Sequence, residues 1–362
     1  MTSSPHTVSV IAEVGVNHNG KIDTALRLVE AAKEAGADIV KFQIFSADGI
    51  VLKNVRQADY QVQNIGQKSD QYSMLKSLEL SKDDYFKIID YCQQLEINFL
   101  FTPFDEESLD TVLNDFNQRI IKIGSGDLTN APMLLKIAQH ARKVILSSGM
   151  ASMAEIKMAL SILGFGYLQN SISPGTAAFE TAFTQKETQK LLQENVTLLH
   201  CTTQYPSPLD SINLRAMKTL KNQFNLKIGF SDHSEGILAA IAAVSLGATV
   251  VEKHLTLDRT MEGPDHIAST EPHQFKDMIR SIRDVETALG SDVKAPTQEE
   301  LKNAQIARKN LVAKKTIKKG DLFTRDNLCV KRSGTGINAL TFFDQIGKTA
   351  DQDYAIDDVI QP

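Results

Sequence analysis

The sequence predicts an α/β protein: a TIM barrel, in which eight β-strands alternate with eight α-helices, followed by a small, mostly β domain. Eight short apolar runs recur along the chain, and such runs are typical of strands buried on both faces of a parallel sheet. Helical patterns separate the runs, as the crossovers of a parallel sheet require. Most runs end in lysine, serine, histidine or acidic residues, and barrel enzymes carry their chemistry at the carboxyl ends of the strands.

The predicted strands and helices alternate from the amino terminus onwards. The strands read VSVIAEVGV (8–16), IVKFQIF (39–45), NFLFTP (98–103), RIIKIGSGD (119–127), VILSSG (144–149), VTLLHCTT (196–203), KIGFSDH (227–233) and TVVEKHLT (249–256). Helices are expected at 23–35, 81–95, 105–117, 130–140, 152–163, 211–224, 236–246 and 272–289. Asp23 can cap the first helix and Gly36 can end it. The polar stretch 46–70 shows no strong period, and a long loop on the active face is expected to act as a lid.

The barrel pattern ends at Gly290. At 362 residues the chain exceeds the ~250 residues typical of one barrel, which leaves room for a second domain. We expect a barrel domain over 1–290, a polar linker over 291–304 and a small β-rich domain over 305–362.

Composition argues against several classes of protein. The net charge of −5 gives no electrostatic footprint for nucleic acid, and no apolar stretch is long enough to span a membrane. The amino terminus lacks the pattern of a signal peptide. Three widely spaced cysteines form neither a disulfide framework nor a zinc motif. We therefore expect a cytoplasmic protein without nucleic-acid or membrane partners.

Two histidines end neighbouring predicted strands. His233 closes KIGFSDH and His254 lies in TVVEKHLT, and adjacent strands of a barrel bring such residues together at one end. Two imidazoles that face one cavity can hold a divalent metal, with water or substrate completing the shell. The alternative is that each is an ordinary core histidine.

Lysines and hydroxyls at the same strand ends predict an anion pocket. Lys41 and Lys122 lie inside strands, where burying an ammonium group is costly unless an anion meets it. Hydroxyl donors are available at Thr102, Ser125, Ser147, Thr203 and Ser231. Together these groups suggest a site for a phosphorylated carboxylate. Two alternatives stay open: a Schiff-base lysine of the aldolase type, and hydroxyls that only cap the next helices.

Two acids also lie within predicted strands. Glu13 needs a partner or a catalytic role, and an ion pair with Lys41 on the neighbouring strand is compatible with either. Glu252 is interpreted as a second acid or as a partner of Lys253. Cys201 has no base arranged beside it in the sequence and is interpreted as a core residue.

Motifs along nearly the whole chain, from about residue 8 to residue 347, resemble those of the bacterial sialic acid synthase family. That family contains N-acetylneuraminate synthases and the related legionaminic and pseudaminic acid synthases. The motifs occur in order: IAEVGVNHNG, VKFQ, FTPFDEESLD, KIGSGDLTNAP, SSGMAS, LLHCTTQYPSP, GFSDHSEGILAAIAAVSLGA, VEKHLTLDRTMEGPDH and KRSGTGI. The C-terminal part resembles the antifreeze-like (SAF) domain that follows the barrel in this family.

The resemblance implies a transferase of sialic acid biosynthesis that forms a C–C bond from phosphoenolpyruvate. The expected enzyme is an N-acetylneuraminate synthase, which condenses phosphoenolpyruvate with N-acetylmannosamine and releases phosphate by C–O cleavage. The alternative is a legionaminic or pseudaminic acid synthase that uses a 2,4-diacetamido-trideoxyhexose. The expected cofactor is a divalent metal, Mn²⁺ first, with Mg²⁺ or Co²⁺ as alternatives.

The resemblance also implies residue roles. His233 and His254 match metal ligands, and Glu13 matches the catalytic acid. The positions that match the phosphoenolpyruvate site are Lys41, Thr102, Lys122, Ser125, Ser147 and Ser231. Thr203 and Glu252 are further candidate substrate contacts at the same strand ends. The positions that match amino-sugar contacts are Gln43, Tyr205 and Asp265. Arg332 matches a tail-domain arginine that reaches the other subunit's active site, which implies a domain-swapped homodimer.

Three positions depart from the family pattern. Thr203 stands where some members have Asn, and Gly124 stands where proline is common. The tail motif reads RSGTG, where many members have RPGNG or RPGTG. Loss of the proline gives this loop more conformational freedom, and Arg332 is retained. A further alternative, a sugar- or ice-binding protein with a silent barrel, is disfavoured by the intact set of histidines, lysines and acids.

Overall fold

Eight parallel strands curl into a nearly closed barrel. The computed structural model describes residues 8–53, 55–56, 70–141, 143–169 and 172–362. The barrel strands are β1 Ser9–Gly15, β2 Ile39–Ile44, β3 Asn98–Pro103, β4 Ile120–Ile123, β5 Lys143–Ser147, β6 Val196–Cys201, β7 Lys227–Asp232 and β8 Val250–His254. Their hydrogen-bonded order is β3-β2-β1-β8-β7-β6-β5-β4. Near the remaining gap, Gln118 Nε2 donates to the Phe99 carbonyl oxygen at 2.8 Å, so β3 approaches β4. The predicted TIM barrel is confirmed.

Helices surround the strands. They are α1 Ile22–Ala35, α2 Ala47–Ile50, α3 Gln71–Leu78, α4 Lys82–Gln94, α5 Glu106–Asp110, α6 Ala131–His140, α7 Met153–Leu168, α8 Thr176–Phe183, α9 Lys186–Asn195, α10 Ala216–Phe224, α11 Leu238–Ser245 and α12 Pro272–Leu289. A π-helical turn continues α5 over Thr111–Asp115. The helix predicted at 211–224 begins only at Ala216, because Asn213 adopts the left-handed φ of 51° and interrupts it. The lid was predicted at 46–70, and helix α2 lies at the start of this stretch. Most of the rest, residues 54 and 57–69, lies outside the described residues.

The period of two along each strand builds the interior of the barrel in layers. One buried apolar layer inside the barrel consists of Ile11, Leu100, Ile145, Leu199 and Val250, with Ile39 packed against it. Two residues further along, the same faces present polar groups or a thiol: Glu13, Thr102, Ser147, Cys201, Glu252 and Lys41. Because side chains alternate along a strand, the apolar layer closes the barrel below and the reactive layer faces its carboxyl-terminal mouth.

A fully buried ion pair lies on the outer face of β7 and β8. Lys253 Nζ stands 2.7 Å from Asp232 Oδ2, and neither side chain is exposed. The other oxygen, Asp232 Oδ1, accepts from the backbone N–H of Ser234 at 2.8 Å, and Lys253 Nζ donates to the Ser234 carbonyl oxygen at 2.8 Å. The pair therefore fixes the chain on both sides of His233.

The C-terminal residues Ser291–Pro362 form a second compact unit, separate from Met1–Gly290. It contains α13 Gln298–Ala307, the antiparallel strands β9 Lys309–Ala313 and β10 Leu328–Arg332, and the short helix α14 Phe342–Gln345. Its own core consists of Leu311, Ala313, Ile317, Phe323, Leu328, Ala350, Tyr354 and Ile360. This architecture is compatible with an antifreeze-like domain.

The polar linker predicted at 291–304 contains the start of a helix in its second half. Helix α13 begins after Thr297, whose side chain accepts from the backbone N–H of Glu300, while Glu300 accepts in return from the backbone N–H of Thr297. Such a reciprocal capping box stabilises a helix start even in a polar segment. No helix in the described part of the chain is both long and apolar enough to cross a membrane.

Replacing Asp232 by Ala should lower the free energy of unfolding by about 3–5 kcal/mol, because it leaves the Lys253 ammonium buried without a counter-charge. Urea unfolding measures the change. The matched control is Asp277→Ala, which breaks an exposed pair with Arg280 (3.1 Å) and should cost less than about 1 kcal/mol. Equal costs for the two variants would contradict this assignment. The double variant Asp232→Leu, Lys253→Met should recover most of the loss.

Candidate active site

The reactive layer lines an inner cavity of about 130 Å³ at the carboxyl ends of the strands. Thirteen sequence-predicted site residues line it together: Glu13, Lys41, Gln43, Thr102, Lys122, Ser125, Ser147, Thr203, Tyr205, Ser231, His233, Glu252 and His254. Seven of the eight strands carry at least one of them, and the loops after β4, β6 and β7 carry the others, because each strand delivers its last inward-facing side chains to the same end.

Four buried charges form the floor of the inner cavity. Lys41 Nζ lies 2.6 Å from Glu13 Oε2 and 3.6 Å from Glu252 Oε2. Lys122 Nζ lies 3.4 Å from Glu252 Oε1. Lys41 also donates to Thr102 Oγ1 at 2.9 Å. The ion pair between Glu13 and Lys41 is therefore present, and the parallel register of β1 and β2 places the two residues side by side.

The protein environment separates the pKa values of the two acids. Burial would raise the pKa of Glu252, but Lys122 and Lys41 outweigh burial and bring this pKa down to about 2. For Glu13 burial dominates and raises the pKa, although Lys41 opposes it. Burial also lowers the pKa of Lys122. Acids whose pKa values are driven apart can take different roles, so Glu252 stays ionised while Glu13 is the acid able to carry a proton.

Lys253 is not the partner of Glu252, because adjacent residues of a strand point to opposite faces. Inside the barrel, Glu252 Oε1 instead accepts from Ser231 Oγ at 2.8 Å. Glu252 is thus a second acid of the cavity, whereas Lys253 belongs to the outer ion pair with Asp232.

The hydroxyl groups leave donor capacity towards the cavity. Ser147 Oγ is buried and has no hydrogen-bond partner among the described residues. Ser125 Oγ accepts from the backbone N–H of Gly149 at 3.0 Å. A Cβ at Gly149 would approach Ser125 Oγ to 2.8 Å and Thr203 Cγ2 to 2.9 Å, so only glycine lets these three loops meet. An unpartnered buried hydroxyl that lines the same cavity as two lysines marks a place for a ligand oxygen.

The two histidine rings both line the cavity, with centroids 5.4 Å apart and planes tilted by 52° to each other. His233 Nδ1 lies 2.5 Å from the Thr202 carbonyl oxygen, which can only accept, so Nδ1 carries the proton and Nε2 is left for another partner. His254 Nδ1 is buried without a partner among the described residues. Burial, helped by His233, lowers the pKa of His254 well below its ordinary value and keeps the ring neutral.

These features fit two ligands of a divalent metal. Metal-binding histidines are usually oriented through their other ring nitrogen, as His233 is by Thr202. No cluster of three or more His, Cys, Asp and Glu side chains suited to a metal occurs in the described part of the chain. A metal here would therefore need water or substrate oxygens to complete its shell.

Cys201 lines the inner cavity, although the sequence suggested a core residue. Its Sγ lies 3.7 Å from His233 Nδ1. The signal that could have revealed it is its position two residues after Leu199, where the strand alternation points inward. The side chain of His200 points away from the cavity. Its ring stacks on Phe230, and its Nε2 lies 2.6 Å from the carbonyl oxygen of Ile212.

A larger outer cavity of about 440 Å³ adjoins the inner one and shares five lining residues with it: Gln43, Phe104, Gly126, Tyr205 and His254. Asp265 lines only the outer cavity. Its loop is anchored through Ser269, whose Oγ donates to the Asp265 carbonyl oxygen at 2.7 Å. Burial raises the pKa of Asp265 to about 6.

The remaining predicted residue, Arg332, lies in the second compact unit. It is exposed at the end of β10, in register with Lys309 of β9. Its predicted role therefore rests on the sequence alone.

Comparisons with known proteins identify similar chains. Residues 28–294 match the sequence profile of the NeuB family. The chain is 43% identical to an N,N'-diacetyllegionaminic acid synthase of Campylobacter jejuni, over 97% of this chain and 98% of that protein. It is 41% identical to an N,N'-diacetyllegionaminic acid synthase of Legionella pneumophila, over 92% and 88% of the two chains. A crystal structure of an N-acetylneuraminic acid synthetase from Leptospira borgpetersenii, in complex with citrate, superposes with a TM-score of 0.66 at 30% identity, covering 82% of this chain and 90% of that one.

The raised pKa of Asp265 predicts a pH-dependent stability. Between the ordinary value of 3.8 and the folded value of about 6, the folded state binds more protons than the unfolded state, so stability falls as pH rises through this window. Asp265→Asn removes this dependence. The free energy of unfolding of the wild type minus that of the variant should therefore fall by about 2–3 kcal/mol between pH 4 and pH 7.

Urea unfolding of metal-free protein at pH 4, 5, 6 and 7 measures this difference. Asp258→Asn is the control in the same connection between β8 and α12, because hydrogen bonds from Thr260 lower the pKa of Asp258 and the pH dependence of the difference should have the opposite sign. A difference between wild type and Asp265→Asn that stays constant with pH would contradict the assignment.

Proposed function

We propose that this chain, which belongs to the NeuB family and is a C–C bond-forming synthase that uses phosphoenolpyruvate, makes N,N'-diacetyllegionaminic acid. The buried cluster of two lysines and two acids, set directly beside two histidines, is the observation that carries the chemistry. The two legionaminic acid synthases at 43% and 41% identity support the sugar. The sequence-based expectation put N-acetylmannosamine first, and these relatives favour its alternative.

Charge and hydrogen-bonding capacity support a phosphoenolpyruvate site in the inner cavity. With both lysines and both acids ionised, the cluster carries no net charge. A bound phosphate and carboxylate are therefore best accommodated when Glu13 takes up a proton, which its raised pKa favours. Lys41, Lys122 and the unpartnered hydroxyl of Ser147 can then donate to the anion.

His233 and His254 would hold the divalent metal, for which Mn²⁺ is our first choice. When bound there, the metal would supply Lewis-acid polarisation of the sugar's aldehyde oxygen. Tyr205 lies against both rings, with centroids 4.2 Å from His233 and 5.9 Å from His254, and it confines the space above them.

The reaction forms one C–C bond and breaks one C–O bond. The methylene carbon of phosphoenolpyruvate attacks the aldehyde carbon of the open-chain sugar, and the aldehyde oxygen takes up a proton. Water adds to the enol carbon, which carries the positive charge, and phosphate leaves with the bridging oxygen. Glu13 is our candidate for both proton transfers: protonated when phosphoenolpyruvate binds, it gives its proton to the aldehyde oxygen, and the carboxylate that results receives the proton of this water. It is in register with His254 on one side and Lys41 on the other, between the histidines and the anion site.

Product analysis tests the proposed function. The purified protein is incubated with phosphoenolpyruvate, Mn²⁺ and either 2,4-diacetamido-2,4,6-trideoxymannose or N-acetylmannosamine, and the products are identified by mass. The diacetamido sugar should give the higher kcat/KM, with one phosphate released per sugar acid. Lys122, whose pKa is lowered, is the lysine best suited to the alternative Schiff-base chemistry. Borohydride trapping with pyruvate should leave the protein mass unchanged, and a trapped adduct would favour an aldolase.

The metal assignment predicts that His233→Ala and His254→Ala each abolish activity and weaken Mn²⁺ binding at least tenfold while the fold persists. Electron paramagnetic resonance of free Mn²⁺ measures the binding. The control is His200→Ala, which removes a histidine of the same barrel that faces away from the cavity and should leave Mn²⁺ binding unchanged. EDTA should inactivate the wild type, and full activity after exhaustive chelation would refute the metal site.

The match of Arg332 to a tail-domain arginine of the family predicts an active site shared between two subunits. Loss of one buried charged hydrogen bond costs about 1.5–3 kcal/mol, which is roughly ten- to a hundredfold in binding or rate. Arg332→Ala should therefore lower kcat/KM for the amino sugar by that factor and leave the KM for phosphoenolpyruvate nearly unchanged. Lys331→Ala, at the neighbouring position, is the control.

Mixing Arg332→Ala subunits with His233→Ala subunits tests whether Arg332 acts across a homodimer. In a mixed dimer, one site combines an intact barrel with an intact tail from the other subunit, so activity should reappear. If subunit exchange is demonstrated and no activity returns, Arg332 does not act across the dimer.

A further inference from the structure

The outer cavity has an apolar wall that the chemistry of the inner cavity does not require. Val16, Phe45, Met74 and Leu78 are buried, line this cavity and form a hydrophobic cluster separate from the main core. We call these four residues the apolar wall. They come from the ends of β1 and β2 and from helix α3, so three separate segments converge on one surface.

Bond formation fixes which part of the sugar meets this wall. The new bond joins phosphoenolpyruvate in the inner cavity to C1 of the sugar. C1 must therefore stand at the boundary that Gln43, Tyr205 and His254 share between the two cavities. The carbon chain of the sugar then extends into the outer cavity, with C4 to C6 farthest from the boundary. None of the apolar wall residues lines the inner cavity, so the wall faces the distal end of the sugar.

The charges of the outer cavity disfavour a phosphorylated sugar. Among its described lining residues there is no lysine or arginine, and Asp127 and Asp265 are both present. A phosphate at C6 would meet two carboxyl groups and an apolar surface without a cation, and unpaired burial of an anion is costly.

Hydroxyl groups at C4 and C6 fit this surface less well than methyl-bearing groups. A hydroxyl pressed against apolar side chains loses its hydrogen bonds to water, whereas a C6 methyl and the methyl of a C4 acetamido group gain apolar burial. Three polar lining residues lie outside the shared boundary, Gln71, Asp127 and Asp265, and each has an oxygen that can accept from the acetamido N–H.

We infer that the apolar wall determines sugar specificity, selecting 2,4-diacetamido-2,4,6-trideoxyhexoses over hexosamines that carry hydroxyl or phosphate groups at C6. This inference rests on the proposed function. Apolar pockets discriminate against an added hydroxyl only modestly, by about ten- to a hundredfold. The wild type should show a preference of that size for the diacetamido sugar over N-acetylmannosamine.

Met74→Gln and Leu78→Gln test the inference by making the wall polar at nearly constant volume. The measured quantity is the ratio of kcat/KM for the diacetamido sugar to kcat/KM for N-acetylmannosamine, which is independent of the fraction of folded enzyme. Each variant should lower this ratio about tenfold, with the KM for phosphoenolpyruvate unchanged. The matched control is Met133→Gln in helix α6, because Met133 is 6% exposed and Met74 is 8% exposed. The control should leave the ratio unchanged.

The outcomes separate this inference from the proposed function. A wild-type preference for the diacetamido sugar that both wall variants retain in full overturns the inference and leaves the proposed function standing. A wild-type preference for N-acetylmannosamine overturns both. A tenfold fall in the wall variants but not in Met133→Gln supports the wall as the specificity determinant.

Discussion

Four ionisable side chains inside the barrel depend on one another for their burial. Lys41 and Lys122 lie in a space that would expel an ammonium group, and Glu13 and Glu252 provide the counter-charges. Removing one partner would leave a buried charge without compensation, which is far costlier than losing a surface pair. The parallel register of β1 with β2 and β8 is therefore constrained, because a shift of one residue would turn these groups outward.

The same cluster prepares the site for its substrate. Strong mutual pairing holds the lysines in place before an anion arrives, so little reorganisation is needed on binding. Because the pKa of Glu252 is lowered to about 2 and that of Glu13 is raised by burial, one acid keeps its charge while the other can exchange a proton. The apolar layer beneath the cluster seals the barrel and keeps water from entering from that end.

The strand ends of the barrel were predictable because a single rule, inward alternation at the carboxyl ends, places the histidines, lysines and acids together. The prediction failed where residue type or sequence adjacency was used in place of this rule, which turns Cys201 inward and Lys253 outward. Cys201 faces the cavity, and Lys253 pairs with Asp232 on the outer face. The apolar wall was not predictable, since residues as far apart as Val16 and Leu78 look like ordinary core positions until helix α3 packs against the ends of β1 and β2. The sequence motifs belong to the chemistry that related synthases have in common, so they do not indicate which sugar is the substrate.

We propose that the buried lysines hold the phosphoryl group intact while the carbon framework of phosphoenolpyruvate reacts. Phosphoenolpyruvate labelled with ¹⁸O at the bridging oxygen tests it most directly, with mass spectrometry of both products after one turnover. The label should appear in the released phosphate, because water supplies the new oxygen at the former enol carbon. Label retained in the sugar acid would mean that the P–O bond breaks, which would contradict this account of the site.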